Sequence, residues 1–380
     1  MAITKYKIIR SVTVDESLGF VEPMIPFLKE KYEVQLLCSP GKNIDRICQE
    51  YEVKGHRIYM FRRMSPVKDI KSLFQLIKVF HSERPYIVHS MTPKAGLLCM
   101  LAAWFTRVPR RVHTFTGLVW PSTSGLSRKI LMVTDWLTCA CATHVIPEGQ
   151  GVLNDLQRHI TKKPMRVLGY GNVRGVDLMK FSRRPEVVEQ ANVLRKKDMF
   201  TFVFVGRIVG DKGVNELVTA FCKLNQKYSN TRLFLVGCYE TDLDPVRSDT
   251  LDTINTSPAI EAVGSKSVDD LLVYYAASDC FVFPSYREGF PNTVLEAGAM
   301  GLPCIVTDIN GSREIIINGK NGIIIPSKNV DTLYNAMERM IRDEDLMRQF
   351  VANARPMIET RFEQGFVRKC LYEFYEEIIS

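Results

Sequence analysis

At 380 residues the chain is long for one domain and comfortable for two, and a composition of 46% hydrophobic against 24% charged residues fits packed globular domains. No run approaches the roughly 18 apolar residues that a membrane span needs, because 97–105 is short and 130–146 carries Asp135 and His144. The formal net charge of +8 is unevenly spread: residues 1–170 hold 25 Lys+Arg against 13 Asp+Glu, and the remainder 25 against 29.

A basic first half on such a chain points to an anionic partner, whether nucleic acid, an anionic bilayer or a phosphorylated substrate. The first residues enter a strand pattern directly, without the apolar core and cleavage site of a secretory signal, so a cytoplasmic location is expected. Ten cysteines occur without a C-x-x-C pair, several of them in apolar runs (Cys38, Cys99, Cys222, Cys280, Cys304), and read as reduced buried thiols.

Strand patterns at 7–14, 34–38, 57–61, 86–91, 111–115 and 144–147 alternate with helical stretches, the rhythm of a doubly wound parallel sheet. Ligands of such sheets sit beyond the strand C-terminal ends, which places 15–19, 89–94 and 113–117 at a candidate site. A glycine-rich, basic break at 169–185 separates this domain, 1–168, from a second one at 186–360. There the rhythm restarts, with strands at 200–205, 232–236, 260–263, 280–284 and 304–307. Helical patterns at 330–342, 344–360 and 364–379 follow, and the tail 361–380 is expected to cross back to the first domain.

Two stretches of the second domain carry chemistry. In the first, 206–213, Arg207 and Lys212 flank a turn containing Gly206, Gly210 and Gly213; a planar guanidinium fork, a mobile ammonium and approachable backbone N–H groups suit a diphosphate. The second follows the apolar run 280–284: a polar turn holding Glu288 and Gly289, then Pro291 opening a helix that carries Glu296, so that a carboxylate and unpaired helix N–H groups can face one crevice.

Together, Gly206-Arg207 with Lys212-Gly213, the spacing of Glu288 and Glu296 in E-G-F-P-N-T-V-L-E, and Asp308-Ile309-Asn310-Gly311-Ser312-Arg313-Glu314 closely resemble glycosyltransferase family 4. Gly175-Val176-Asp177 with Phe181 is similar to its N-G-V-D-x-x-x-F signature, Arg174 standing where Asn is usual. The resemblance implies the GT-B fold, two Rossmann-like α/β domains facing a cleft, and retaining transfer from a nucleotide-sugar. It is strongest over 200–326 and weaker before 165.

Carried over by position, the resemblance makes Arg207 and Lys212 the diphosphate clamp and Glu296 the ribose partner. It sets Glu288, Gly289 and the N–H groups of Phe290, Pro291 and Asn292 near the donor sugar and phosphates. Gly206, Gly237 and Val263 complete the donor side, the last two through backbone contacts to the base. Gly19 is a further candidate, although the doubled glycine common in relatives is missing. In the first domain, His89, Lys94 and Thr116 are expected at the acceptor. Relatives place a His just before the glycine of the 113–117 loop; here Thr116 stands there and His113, three residues earlier, is the catalytic candidate.

Two cations and a helix N-terminus can stabilise a departing nucleoside diphosphate, so neither metal nor cofactor is expected. Asp242-Leu243-Asp244 and Asp343-Glu344-Asp345 match the D-x-D metal motif of the other main glycosyltransferase fold and read as surface acids.

The first-domain segments most resemble bacterial enzymes that extend polyprenyl-diphosphate-linked sugars for capsule, O-antigen or glycoprotein glycans. Arg62, Arg63, Lys68, Lys94, Arg107, Arg110, Arg111, Arg128 and Lys129, interleaved with Phe61, Trp104, Phe105 and Trp120, suit a peripheral surface on the inner face of an anionic membrane. The expectation is a UDP-sugar donor, a lipid-linked sugar acceptor and no nucleic acid. A nucleotide-sugar 2-epimerase and a non-catalytic nucleotide-sugar-binding partner are the alternatives.

Overall fold

In a computed structural model that describes residues 5–61, 65–240 and 244–380, the chain parts into two compact units. One runs to Gly175 and takes back Gly365–Ser380; the other is Val176–Gln364.

The first unit holds six parallel strands, β1 (Lys7–Ser11), β2 (Glu33–Cys38), β3 (Lys54–Arg57), β4 (Ile87–Met91), β5 (Arg110–Phe115) and β6 (His144–Pro147), ordered β3-β2-β1-β4-β5-β6. The second repeats the plan with β7 (Phe200–Val205), β8 (Thr231–Val236), β9 (Ile260–Gly264), β10 (Cys280–Phe283), β11 (Cys304–Thr307) and β12 (Gly322–Ile325), ordered β12-β11-β10-β7-β8-β9. In each sheet the order reverses beside the first strand, where ligands of doubly wound sheets bind. The expected third strand, 57–61, sits earlier in the chain as β3, and β12 was not anticipated.

Helices cover both faces of each sheet, and inner strands such as Cys280–Phe283 accordingly read as unbroken apolar runs. In the first unit one face packs Leu18, Ile25, Leu28 and Ile44 with Leu371 and Tyr375 of the closing helix Gln364–Ile379. The other face packs Leu76 and Phe80 of the Pro66–Glu83 helix, Leu98 and Cys99 of Pro93–Phe105, and Cys139 of Gly125–Cys141. The second unit has one continuous core in which Phe202, Phe204, Phe221, Phe281 and Phe283 are buried.

Asn172 (φ 61) turns the chain before the unit boundary; its side-chain oxygen accepts the Arg174 and Gly175 N–H groups at 3.0 and 2.6 Å. Asp177 does the same for Met179 and Lys180, each at 3.0 Å. Asn and Asp favour such turns because their short side chains bond the backbone two or three residues on. Among the described residues no helix is long and apolar enough to cross a membrane.

Candidate functional site

The 206–213 segment leaves β7 and folds against the chain that leaves β10. Gly213 makes this approach possible: its φ of 71° is left-handed, and a Cβ there would lie 2.2 Å from the Pro284 carbonyl oxygen. Tyr286 N–H donates to the Asp211 carbonyl at 2.8 Å, the Ser285 Oγ lies 3.3 Å from the same carbonyl, and Arg287 donates to the Asp211 carboxylate at 3.2 Å. The turn thereby delivers the Lys212 ammonium onto Glu288 Oε1. Both side chains are 16% exposed, and the Ser285 hydroxyl donates to the same oxygen at 2.8 Å.

Arg207, at the opening of the turn, pairs with Glu240 from the segment after β8. Partial burial disfavours its charge, but the Glu240 hydrogen bond, with Asp211 and Glu288 nearby, more than offsets this and raises its pKa. Gly237, also after β8, approaches so closely that a Cβ would lie 1.8 Å from the Gly206 carbonyl oxygen. Its N–H donates to Gly264 at 3.0 Å, which puts Gly237 beside the Val263 end of β9.

Pro291 caps the Asn292–Ala299 helix from outside, one residue short of the expected opening position. A proline has no N–H, so of the three donors expected at 290–292 only Phe290 and Asn292 can supply one. The Phe290 ring is buried edge-on to Phe362 at 5.4 Å, leaving its backbone as the part a ligand can meet. Gly311 sets this backbone: at φ 76°, a Cβ on it would lie 2.4 Å from the Gly289 carbonyl oxygen and 2.7 Å from the Phe290 Cα. Glu296, largely buried on the helix, accepts the buried Tyr275 hydroxyl at 3.4 Å.

The C-terminal ends of β7, β8, β9 and β10 thus hold two cations, closely packed glycine backbone and a helix start, an arrangement suited to a polyanion. Each cation rests on a carboxylate, Arg207 on Glu240 and Lys212 on Glu288.

The first unit departs more from expectation. His113 lies inside β5 at 1% exposure, its Nδ1 2.9 Å from the Ser90 hydroxyl and its ring against Gly96 and Phe115. Burial lowers its pKa to about 3, so it is neutral. This is the setting of a core histidine, and the expected reach to a donor sugar is absent from it. His89 is equally buried, between the Tyr375 hydroxyl at 2.6 Å and the Thr114 hydroxyl at 2.7 Å, with its pKa pushed down by burial, then by Arg10 and His113. It lines a cavity of about 20 Å³ with Arg10, Glu148 and Asn172, room for about one water.

Lys94 is held by Asp69 at 2.5 Å and is only 11% exposed, so it is not open to an acceptor. Thr116 stands half-buried just past β5. Gly19 lies exposed in the Asp15–Phe20 turn with nothing within 4 Å of a Cβ. The expected basic and aromatic surface is also redrawn. Trp120 is 2% exposed, Arg110 donates to the Ile378 carbonyl, and Arg111 to the carbonyls of Cys141 (2.6 Å) and Val108 (2.8 Å). Arg62 and Arg63 lie outside the described residues.

Asp242 and Leu243 of the first D-x-D match also lie outside them; the Asp244 carbonyl accepts the Gly210 N–H at 2.8 Å. In the second match, Asp343 caps the helix Glu344–Phe362 through the Leu346 N–H, while Glu344 and Asp345 pair with Arg348.

Sequence reasoning missed Ser285, Tyr275 and Gly311 as supports of the site. It also missed Thr92, a β-branched residue at φ 71° and ψ 144° whose hydroxyl lies 2.7 Å from that of Thr13. The only sequence signal for Thr92 was its place between β4 and Pro93.

Family models described as "Glycosyl transferases group 1" and "Glycosyl transferase 4-like domain" match residues 188–357 and 28–171. The chain is 31% identical over 377 residues to a Staphylococcus aureus protein named capsular polysaccharide biosynthesis glycosyltransferase CapM, covering 98% of each. It is 29% identical over 330 residues to the Escherichia coli UDP-Gal:alpha-D-GlcNAc-diphosphoundecaprenol alpha-1,3-galactosyltransferase, covering 83% of this chain and 82% of that one. Among solved structures, Anabaena HepE in complex with UDP superposes with a TM-score of 0.81 at 16% identity, over 98% of this chain and 100% of that one.

Proposed function

The chain belongs to glycosyltransferase family 4 and has the GT-B fold, and on that premise we propose that this glycosyltransferase moves a hexosyl group, with retention, from a UDP-sugar to a polyprenyl-diphosphate-linked sugar. The setting we infer is surface polysaccharide or glycan assembly at the inner face of the membrane. The acceptor class follows the activity named for the E. coli relative and for a Campylobacter jejuni relative, an N,N'-diacetylbacillosaminyl-diphospho-undecaprenol alpha-1,3-N-acetylgalactosaminyltransferase 26% identical over 376 residues. The capsular assignment follows the S. aureus relative.

The observation that carries the reading is the convergence of Arg207, Lys212 and Glu288 beside the Asn292–Ala299 helix start. Breaking the anomeric C–O bond leaves negative charge on the nucleoside diphosphate. Arg207 offers it a bidentate fork, Lys212 a point charge, and the helix its N-terminal partial charge. These groups supply the stabilisation that a divalent ion gives elsewhere, and the step is proposed to run without one. Glu288, held by Lys212 and the Ser285 hydroxyl, keeps the ammonium in place until phosphate displaces it and then faces the donor sugar. Glu296, steadied by Tyr275, is assigned to the ribose.

The test is incubation of the protein with radiolabelled UDP-sugars and a bacterial lipid extract. Label entering the lipid fraction is the expected result. Conversion of the free donor to an epimer, or UDP-sugar binding without turnover, would replace the reading with one of its two alternatives.

A further inference from the structure

Three helices, Pro66–Glu83, Pro93–Phe105 and Gly125–Cys141, cover one face of the first sheet, the middle one packed against both others. On the first, Val67, Ile70 and Phe74 fall at i, i+3 and i+7, one stripe of a helix, and all three point away from the core; Phe74 is 67% exposed. On the third, Leu126, Ile130 and Val133 fall at i, i+4 and i+7, again one stripe, and Trp136 continues it; all four are exposed, Leu126 at 73%. Each helix therefore has two apolar stripes, one against the sheet and one unpartnered. Soluble monomers rarely leave this much large apolar surface open without a use for it.

The charges beside these stripes select the partner. Lys68, Lys71 and Lys78 are exposed on the first helix, Arg128 and Lys129 on the third. The carboxylates of both helices are spoken for: Asp69 holds Lys94, Glu83 holds Lys7 and Lys54, and Asp135 is buried. Two copies meeting face to face would oppose cation to cation with no open acid to relieve them, which disfavours self-association. Apolar stripes lying flat with cations at their margins match the boundary between headgroups and acyl chains of an anionic bilayer.

We infer that the outer faces of the Pro66–Glu83 and Gly125–Cys141 helices form the surface by which the protein docks on an anionic phospholipid bilayer. The inference deepens the proposed use of a lipid-linked acceptor and identifies the helices that bring the enzyme to it.

Co-sedimentation of the full chain with phosphatidylcholine vesicles, with and without phosphatidylglycerol, tests it, alongside UDP titration calorimetry. Binding to the anionic vesicles that weakens as salt rises is expected. The double variant Phe74→Ser/Leu126→Ser should lower partitioning at least about tenfold through lost apolar insertion. Lys71→Gln and Lys129→Gln should each lower it about fivefold. All of these variants should keep the wild-type melting temperature and UDP affinity, because the changed side chains are exposed and lie in the other unit from the candidate donor site.

Wild-type protein that ignores anionic vesicles, or variants that bind them as well as wild type, would overturn the inference. So would a wild-type dimer that the same substitutions dissociate. Failure of the transferase reading would show separately, as absent UDP binding or turnover with vesicle binding intact.

Discussion

The Lys212 ammonium and Glu288 Oε1 meet although the two residues lie 76 apart in the chain, and the Ser285 hydroxyl shares the same oxygen. A pair this enclosed holds each partner's charge in one orientation, which is what a site must do before a diphosphate arrives. Lys212→Ala should cost roughly 100-fold in turnover at saturating donor, and Glu288→Ala a similar factor. Near-normal turnover in either would remove the assignment. Chelator should leave the rate unchanged; strong inhibition would bring a metal ion back into the step.

Glu240 predicts an effect of opposite sign. It occupies Arg207 in the ligand-free protein, and an ion pair at this degree of exposure is worth up to about 1 kcal/mol. Glu240→Gln removes the competitor without removing bulk, so UDP should bind up to about fivefold more tightly by calorimetry. Weaker binding would mean that Glu240 itself contacts the ligand.

Gly311 and Gly19 make a matched pair of alanine substitutions. At 311 the methyl would be driven into the 289–290 backbone at a left-handed φ, which should cost about 1–3 kcal/mol and raise the donor KM as the loop is displaced. At 19 the methyl meets nothing within 4 Å, and the change in stability should stay within about 0.5 kcal/mol. Thermal melts and donor saturation curves of the two variants check this. Equal behaviour would show that 289–291 does not depend on Gly311.

Both sheets were legible because short runs rich in apolar residues alternate with helical stretches, and glycines and charges mark the chain after β7 and β10, at the strand ends where such sheets place ligands. What the sequence could not show was side-chain direction. His113 reads as a polar residue near a loop, yet a strand covered on both faces buries it, and Ser90 one strand over satisfies it. The Pro66–Glu83 helix has apolar residues on two sides, and only packing reveals that Leu76 and Phe80 face the sheet while Ile70 and Phe74 do not. Trp120 was misread for the same reason: it sits within 5.3 Å of the His159 ring, inside the unit. Gly311 stood within the Asp308–Glu314 motif, but its close packing on the 289–290 backbone, distant in sequence, is visible only in the fold.

Two buried neutral histidines give the first unit a definite response to acid. His113 has a folded pKa of about 3 against an ordinary 6.5, so between these values the unfolded chain binds a proton that the folded chain does not. Its contribution to stability is complete above 6.5 and is lost as pH falls, reaching about 2 kcal/mol at pH 5. His89 acts in the same direction. Asp135 opposes them: burial raises its pKa to about 7, so the stability it contributes is present at low pH and is lost as pH rises from its ordinary 3.8 toward 7. On acidification from pH 7 to pH 5 it therefore works against the two histidines. Denaturant melts of the wild type and His113→Gln at both pH values test this, since the variant lacks the titrating ring and its stability should change with pH by about 2 kcal/mol less. An identical pH dependence in the two proteins would mean that His113 is not the group that acid charges on unfolding.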